Sequence, residues 1–251
     1  MGSTRFSMPR ISVVIPCYFN QENLPFTAAA LLENEKRFSE EVIFEYVFVD
    51  DGSEDGTMRE LLRFYKANPS RTKIVSLSEN VGSYNAIFAG FEYVTGDCVV
   101  VTSADLQDPP ELIEQMLQKW KDGSKVVLAV RERRNDPLST RLLSSVFNAV
   151  LRKFGLRNLP SGGFDFCLFD QSLIHELKSR MKSGINGLLI LLLVERSPSI
   201  LLYEKRKREH GKSQWTFNKK LKLAINTLLF FLASQKGATK ELYHIKKTHG
   251  I

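Results

Sequence analysis

The sequence predicts an α/β domain built on a mainly parallel sheet flanked by helices, and three observations lead there. From Ile11 to about Val130, short β-branched runs alternate with amphipathic stretches, the order expected of βαβ units. Polar clusters rich in carboxylates fall just past these runs, where ligands of such sheets collect. A chain of 251 residues with 43% hydrophobic content also suffices to bury one large α/β core or two small ones.

Taken in order, strands are predicted in ISVVI from Ile11, VIFEYVFV from Val42, TKIVSL from Thr72, DCVVVT from Asp97 and KVVLAV from Lys125. Between them, helical periodicity runs over Gln21–Arg37, Gly56–Ala67, Gly82–Val94 and Pro109–Trp120, the last opening with prolines that a first helical turn tolerates. Beyond Arg131 the order changes. RERRND reads as a charged loop, Thr140–Phe154 as an amphipathic helix, and LPSGGFDF as a glycine-containing turn before a helix starting near Asp170. Ile185–Val194 is an apolar helix or strand, and SILLY is a strand that runs into a very basic segment. With no internal repeat and no linker, the chain divides into a flexible N-terminus (1–10), a catalytic-type domain (11–204), a basic loop with an amphipathic helix (205–233) and a tail (234–251) that holds His244 and His249.

The net charge of +7 and pI near 9.3 favour an anionic partner. Between Lys205 and Lys222 the basic residues Lys205, Arg206, Lys207, Arg208, Lys212, Lys219, Lys220 and Lys222 face the single acid Glu209, with Trp215 and Phe217 among them. Next to this run lies the apolar stretch Leu221–Leu232. Such a pair can lie on an anionic membrane surface, each basic residue contributing on the order of 1 kcal/mol. Nucleic acid is not expected, because the basic residues cluster late while the sheet end is rich in aspartate. Cys17, Cys98 and Cys167 have no zinc-type spacing and suit a reduced, cytoplasmic compartment. MGSTRFSMPR has no apolar core of a signal peptide, and LAINTLLFFLA is about half the roughly 20 residues a bilayer requires, so membrane contact is expected to be peripheral.

Two segments carry chemistry. In VFVDDGSEDGT, turn chemistry accounts for Gly52, Ser53 and Gly56, and Asp55 either caps the next helix or serves the turn, while Asp50 and Asp51 stand where a carboxylate accepts hydrogen bonds from a base or ribose. In SADLQDPPE, Asp105 and Gln107 fall on one side of an extended stretch and together offer a carboxylate and an amide oxygen to a hard cation; Asp108 is expected to cap the helix that follows. NVGSYNAIFAG lacks dinucleotide-fingerprint spacing; Gly82 is expected to leave room for a nucleotide and Asn80 to hydrogen-bond nearby.

Together with VVIPCYFNQENL, LSENVGSYNAIFAG, VRERR, GGFDFCLFD and REHGKSQWTF, in that order along the chain, these segments resemble the family 2 glycosyltransferases of GT-A fold, a Rossmann-like architecture, and among them the enzymes that charge polyprenyl phosphates with sugars. The resemblance spans about Ile11 to Phe231. It implies a nucleotide-sugar donor such as a UDP- or GDP-sugar, Mg2+ or Mn2+, an inverting displacement, and a lipid-phosphate or glycan acceptor at the cytoplasmic, inner face of the membrane. It places Pro16, Tyr18, Asp50, Asp51, Gly82, Ser103 and Ala104 at the nucleotide-sugar, Asp105 and Gln107 at the metal, Arg131 at the donor diphosphate and Asp165 near the acceptor, as catalytic residue. Arg208, Gly211 and Ser213 match a late loop that closes over phosphates. The sequence departs from the family at Ser103 (an aspartate in its DxD), Asn20 (a glutamate), Cys167 (an arginine) and Gln214 (a lysine). With Asp105, Arg131 and Asp165 kept, these departures mark a distinct subgroup. Transfer to a glycan hydroxyl and a nucleotide-binding pseudoenzyme are the competing readings.

Overall fold

The computed structural model describes residues 8–38, 41–132, 138–153, 155–208, 217–232 and 243–251. Strands and helices follow as β1 (Arg10–Cys17), α1 (Leu24–Lys36), β2 (Ile43–Asp50), α2 (Thr57–Ala67), β3 (Thr72–Leu77), α3 (Ser83–Gly90), β4 (Cys98–Val101), α4 (Leu112–Lys121) and β5 (Val126–Arg131). They continue as α5 (Leu138–Lys153), β6 (Phe166–Asp170), α6 (Ile174–Arg180), α7 (Leu191–Val194), β7 (Ser199–Tyr203), α8 (Phe217–Leu232) and β8 (Ile245–His249).

Among the described residues, the strands form one sheet in the order β7-β5-β6-β4-β1-β2-β3-β8. β4-β1-β2-β3 are parallel throughout and β5 pairs parallel with β7, whereas β6 and β8 run antiparallel to their neighbours. Strands buried on both faces read as continuous apolar runs, which is why ISVVI and CVVV announce themselves in sequence. One face, with Ile15, Tyr46 and Phe48, packs under Leu31 of α1, Phe64 of α2 and Met116 of α4. The other, with Val14, Val49 and Phe169, packs under Phe88 of α3, Leu151 of α5, Leu177 of α6, Leu191 of α7 and Phe230 of α8.

Several expectations need correction. α3 ends at Gly90, short of Val94, and Gly90 packs directly on the sheet, where a Cβ would sit 2.8 Å from Val14 and 3.0 Å from Val49. β6 was hidden behind the GGFDF turn. Only its antiparallel pairing with β4 and β5, both distant in sequence, makes a five-residue run a strand. The predicted helix does start near Asp170, whose side chain accepts from Ser172 N at 3.0 Å. Ile185–Val194 resolves as a helical turn followed by α7. Within the tail, β8 closes the sheet edge against β3, pairing His249 with Ile74.

Candidate active site

The carboxyl ends of β1, β2, β4, β5 and β7 converge at one rim. Chain order runs from β1 outward to β3 on one side and resumes at β4 on the other, so the crevice between β1 and β4 is the switch point where α/β sheets bind ligands.

On the β2 side, Pro16 and Cys17 end β1 opposite Val49 and Asp50. The turn after β1 holds Phe19 at φ 53°, stabilised by Asn20, whose Oδ1 accepts from Tyr18 N at 2.7 Å, and by Ser53 Oγ, which accepts from Phe19 N at 3.1 Å. Asn20 therefore serves the turn. Asp50 is buried and accepts from Ser53 N at 3.2 Å; burial, above other influences, raises its pKa. Asp51 accepts from Val81 N (2.8 Å), Gly82 N (3.0 Å) and Asn80 Nδ2 (2.9 Å), so it clamps the start of α3 to the end of β2. Burial pushes its carboxyl up to about 7, with Asp50 adding to the rise and the Val81 and Gly82 N–H groups opposing it. Asn80 hydrogen-bonds as expected. Gly82 is required by its φ of 92° rather than by crowding, since a Cβ there would meet nothing within 4 Å. Gly52, at φ 69°, has both reasons, because a Cβ would lie 2.6 Å from the Glu79 backbone. Asp55 does reach the first residue of α2, accepting from Thr57 N at 3.0 Å.

Past β4, SADLQDPPE folds differently from the extended stretch expected. Leu106 sits at φ 55°, and Asp105 and Gln107 are brought together by a turn in which Asp105 Oδ1 accepts from Gln107 N at 3.2 Å. Asp105 Oδ2 pairs with the Arg208 guanidinium. Gln107 Nε2 donates to Arg206 O at 3.2 Å, and Arg206 N donates to Gln107 O at 2.9 Å. Ala104 is buried in the core, and its carbonyl accepts from Thr27 Oγ1 at 2.9 Å. Asp108 is not the helix cap. Glu111 occupies that position without a side-chain bond, and the Pro109 and Pro110 carbonyls accept the first N–H groups. Asp108 instead is a buried hub: its Oδ2 lies 2.8 Å from Ser103 Oγ, its Oδ1 accepts from Tyr203 OH at 2.5 Å, and Lys205 Nζ stands 3.6 Å away. Ser103 Oγ is also 2.8 Å from Asp105 Oδ1, so its one proton serves one of two carboxylates at a time.

Arg131, at the end of β5, donates to Asp165 Oδ2 at 2.9 Å, while Tyr84 OH donates to Asp165 Oδ1 at 2.9 Å. Burial, then the Asp165 charge, holds the Tyr84 phenol far above its usual pKa, so it stays a donor. The turn preceding β6 passes under Arg131 because Gly162 has no Cβ; one would sit 2.5 Å from Arg131 O. Cys167 is fully buried in the core cluster that includes Phe91 and Phe169, and burial, then the Asp165 charge, pushes its thiol pKa up, so this position carries no charge. Gly211, Ser213 and Gln214 lie outside the described residues.

The structure thus gathers Asp50, Asp51, Ser103, Asp105, Gln107, Arg131, Asp165 and Arg208 at one rim. Sequence reasoning missed Tyr84, Asp108 and Tyr203 and read Lys219 only as part of the basic run. Lys219 Nζ lies 6.0 Å from the Tyr18 ring centroid, which places the first turn of α8 beside the turn after β1. A helix-capping signal masked Asp108, and Tyr84 and Tyr203 carry none, being helix and strand residues whose partners are far away in sequence. Among the described residues no three His, Cys, Asp or Glu side chains cluster as a metal site.

The model of the family described as Glycosyl transferase family 2 matches residues 12–178. A Synechocystis protein named uncharacterized glycosyltransferase sll0501 is 30% identical over 227 residues, covering 88% of this chain and 69% of that protein. The undecaprenyl-phosphate 4-deoxy-4-formamido-L-arabinose transferase of Klebsiella pneumoniae is 30% identical over 221 residues, covering 85% of this chain and 65% of that one. Among solved structures, the glucosyl-3-phosphoglycerate synthase of Mycobacterium tuberculosis with Mn2+, UDP and glucosyl-3-phosphoglycerate superposes with a TM-score of 0.57 at 17% identity, covering 94% of this chain and 86% of that chain.

Proposed function

The chain belongs to glycosyl transferase family 2 and is a glycosyltransferase of GT-A fold, and on that premise we propose that it moves a sugar, with inversion, from a nucleotide-diphosphate sugar to a polyprenyl phosphate at the cytoplasmic membrane face. The observation that carries the acceptor is the state of Asp165. Both its oxygens are engaged, one by Tyr84 and one by Arg131. A hydroxyl acceptor needs a base turned toward its proton, whereas a phosphate is already an anion and needs only to be placed. A carboxylate held by Tyr84 and Arg131 suits an anchor that orients the reacting groups, the role a phosphate acceptor requires.

The residues fit a divalent cation. Asp105 already holds a cation, the Arg208 guanidinium, and Gln107 lies beside it. One carboxylate and one amide oxygen suit Mg2+ or Mn2+, which commonly draws its other ligands from substrate phosphates and water. When bound, the ion supplies charge to offset the departing diphosphate. Tyr18, Pro16, Asp50 and Asp51 shape the nucleoside end, and Arg131 and Arg208 pair with diphosphate oxygens, bidentately where geometry allows.

α8 supports the membrane reading. Thr227, Phe230 and Phe231 face the body, while Leu221, Ile225, Leu229 and Leu232 form a stripe exposed by 38–57%. No helix among the described residues is long and apolar enough to cross a membrane. The test is product analysis with labelled UDP- and GDP-sugars, offered polyprenyl phosphate or an oligosaccharide with Mn2+. Label is expected in the lipid. Label only in the oligosaccharide would overturn the acceptor, and nucleotide binding without any transfer would leave a pseudoenzyme.

A further inference from the structure

We infer that Tyr203 is a positioning residue for Arg131, fixing the plane in which the guanidinium meets the donor diphosphate; the inference rests on the role given to Arg131 above. Arg131 and Tyr203 are direct partners in the parallel β5-β7 ladder, and Glu132 N donates to Tyr203 O at 2.9 Å, so the two backbones are locked in register. Paired residues of neighbouring strands project to the same face. Tyr203 is buried there, its ring edge-on to Phe166 with centroids 6.3 Å apart.

The direction of each hydrogen bond follows from proton counting. Asp108 Oδ1 lies 2.5 Å from the Tyr203 hydroxyl and takes its single proton. The hydroxyl oxygen is left an acceptor, and the ladder pairing sets it beside the Arg131 guanidinium as the partner we assign to it. On its other side Arg131 donates to Asp165 at 2.9 Å. A guanidinium is planar with five N–H donors, so anchoring it at two points sets how the rest are presented. Asp108 is itself held by Ser103 and Lys205, so the chain of contacts runs from the Asp105 loop through Asp108 and Tyr203 to Arg131. The loop that would hold the cation and the arginine that would meet the diphosphate are thereby placed relative to one another.

Tyr203→Phe keeps the buried ring and removes only the hydroxyl. The test measures affinity of the full chain, with Mn2+, for UDP against UMP and GDP against GMP in the wild type, Tyr203→Phe, Arg131→Ala and the double variant. The wild type is expected to prefer the diphosphate. Tyr203→Phe should reduce that preference about tenfold, the scale of one charge-assisted hydrogen bond, with monophosphate affinity unchanged. The double variant should lose no more than Arg131→Ala alone, and Arg131→Lys, which keeps the charge without the planar fork, should resemble Tyr203→Phe. An unchanged preference in Tyr203→Phe, an equal loss for mono- and diphosphate, additive losses in the double variant, or wild-type preference in Arg131→Lys would each overturn the inference. A wild type with no diphosphate preference would remove the underlying reading of Arg131, and the inference with it.

Discussion

Ser103 stands between two carboxylates, 2.8 Å from Asp105 and 2.8 Å from Asp108. An aspartate there would add a third negative charge within hydrogen-bonding reach of both. Without a cation that crowding destabilises; with one it adds a ligand. Ser103→Asp is therefore expected to lose about 1–3 kcal/mol in chelator and to regain it on adding Mn2+, with tighter Mn2+ binding than the wild type. Thermal melts with and without Mn2+ read this, and equal Mn2+ stabilisation in both proteins would place position 103 outside the metal site. Asp51 makes a second residue-scale prediction. Its carboxyl is pushed up to about 7 in the fold, against about 4 in an unfolded chain. Between those values the folded state holds a proton that the unfolded state has released, so stability falls as pH rises through the window and levels above it. Asp51→Asn should reduce that fall. Melting temperatures from about pH 5 to about pH 8 check it, and a slope as steep as the wild type's would refute it.

Among the elements, α8 presents two different faces. Its buried side is tied to the body by Phe230 and Phe231 and by Thr227, whose Oγ1 accepts from Asn186 N at 3.0 Å. Its outer stripe packs on nothing in the described fold strongly enough to hide it. Because Ile225 and Leu229 are about half exposed, replacing both by glutamate should alter stability by less than about 1 kcal/mol. Each apolar side chain buried in an interface contributes about 1.5–3 kcal/mol, so the same pair should weaken sedimentation with anionic vesicles by on the order of 100-fold or more. Vesicle binding at wild-type strength by this variant would end the interfacial role of α8. At the opposite edge, β8 covers β3 with an antiparallel strand, which the charged run IKKTH scarcely announces; an edge strand with lysines is one that remains soluble while shielding the next strand's polar backbone.

At the scale of the molecule, the donor and acceptor ends of the rim should separate experimentally. Asp105→Ala is expected to abolish the Mn2+-dependent part of nucleoside diphosphate affinity, while Asp165→Asn, which weakens one anchor of Arg131, should cost no more than about tenfold in that affinity and lose sugar transfer by at least about 100-fold. If Asp105→Ala binds with unaltered metal dependence, the cation is not held by this loop. Much of this plan was legible in sequence. The five strands from Ile11 to Val130 and the helices between them follow from patterns of two and 3.6 residues, which depend only on near neighbours and on burial of both sheet faces. The motifs around Asp51, Asp105, Arg131 and Asp165 follow from their position just past strands, and the family from their order. Partnership did not follow, since Tyr84 meets Asp165 across 81 residues, Tyr203 meets Asp108 across 95, and Arg208 meets Asp105 across 103. Those pairings depend on strand order, with β6 inserted antiparallel between β4 and β5 and β7 laid parallel beside β5. What the sequence by itself determined is therefore the α/β class, the rim residues and the amphipathic helix, all local in origin. Three-dimensional packing alone makes Asp108 a buried hub rather than a cap, stands Arg208 on Asp105 and sets Tyr203 between Arg131 and the Asp105 loop, because hydrogen bonds are set by distance in space and the sheet, not the chain, determines it.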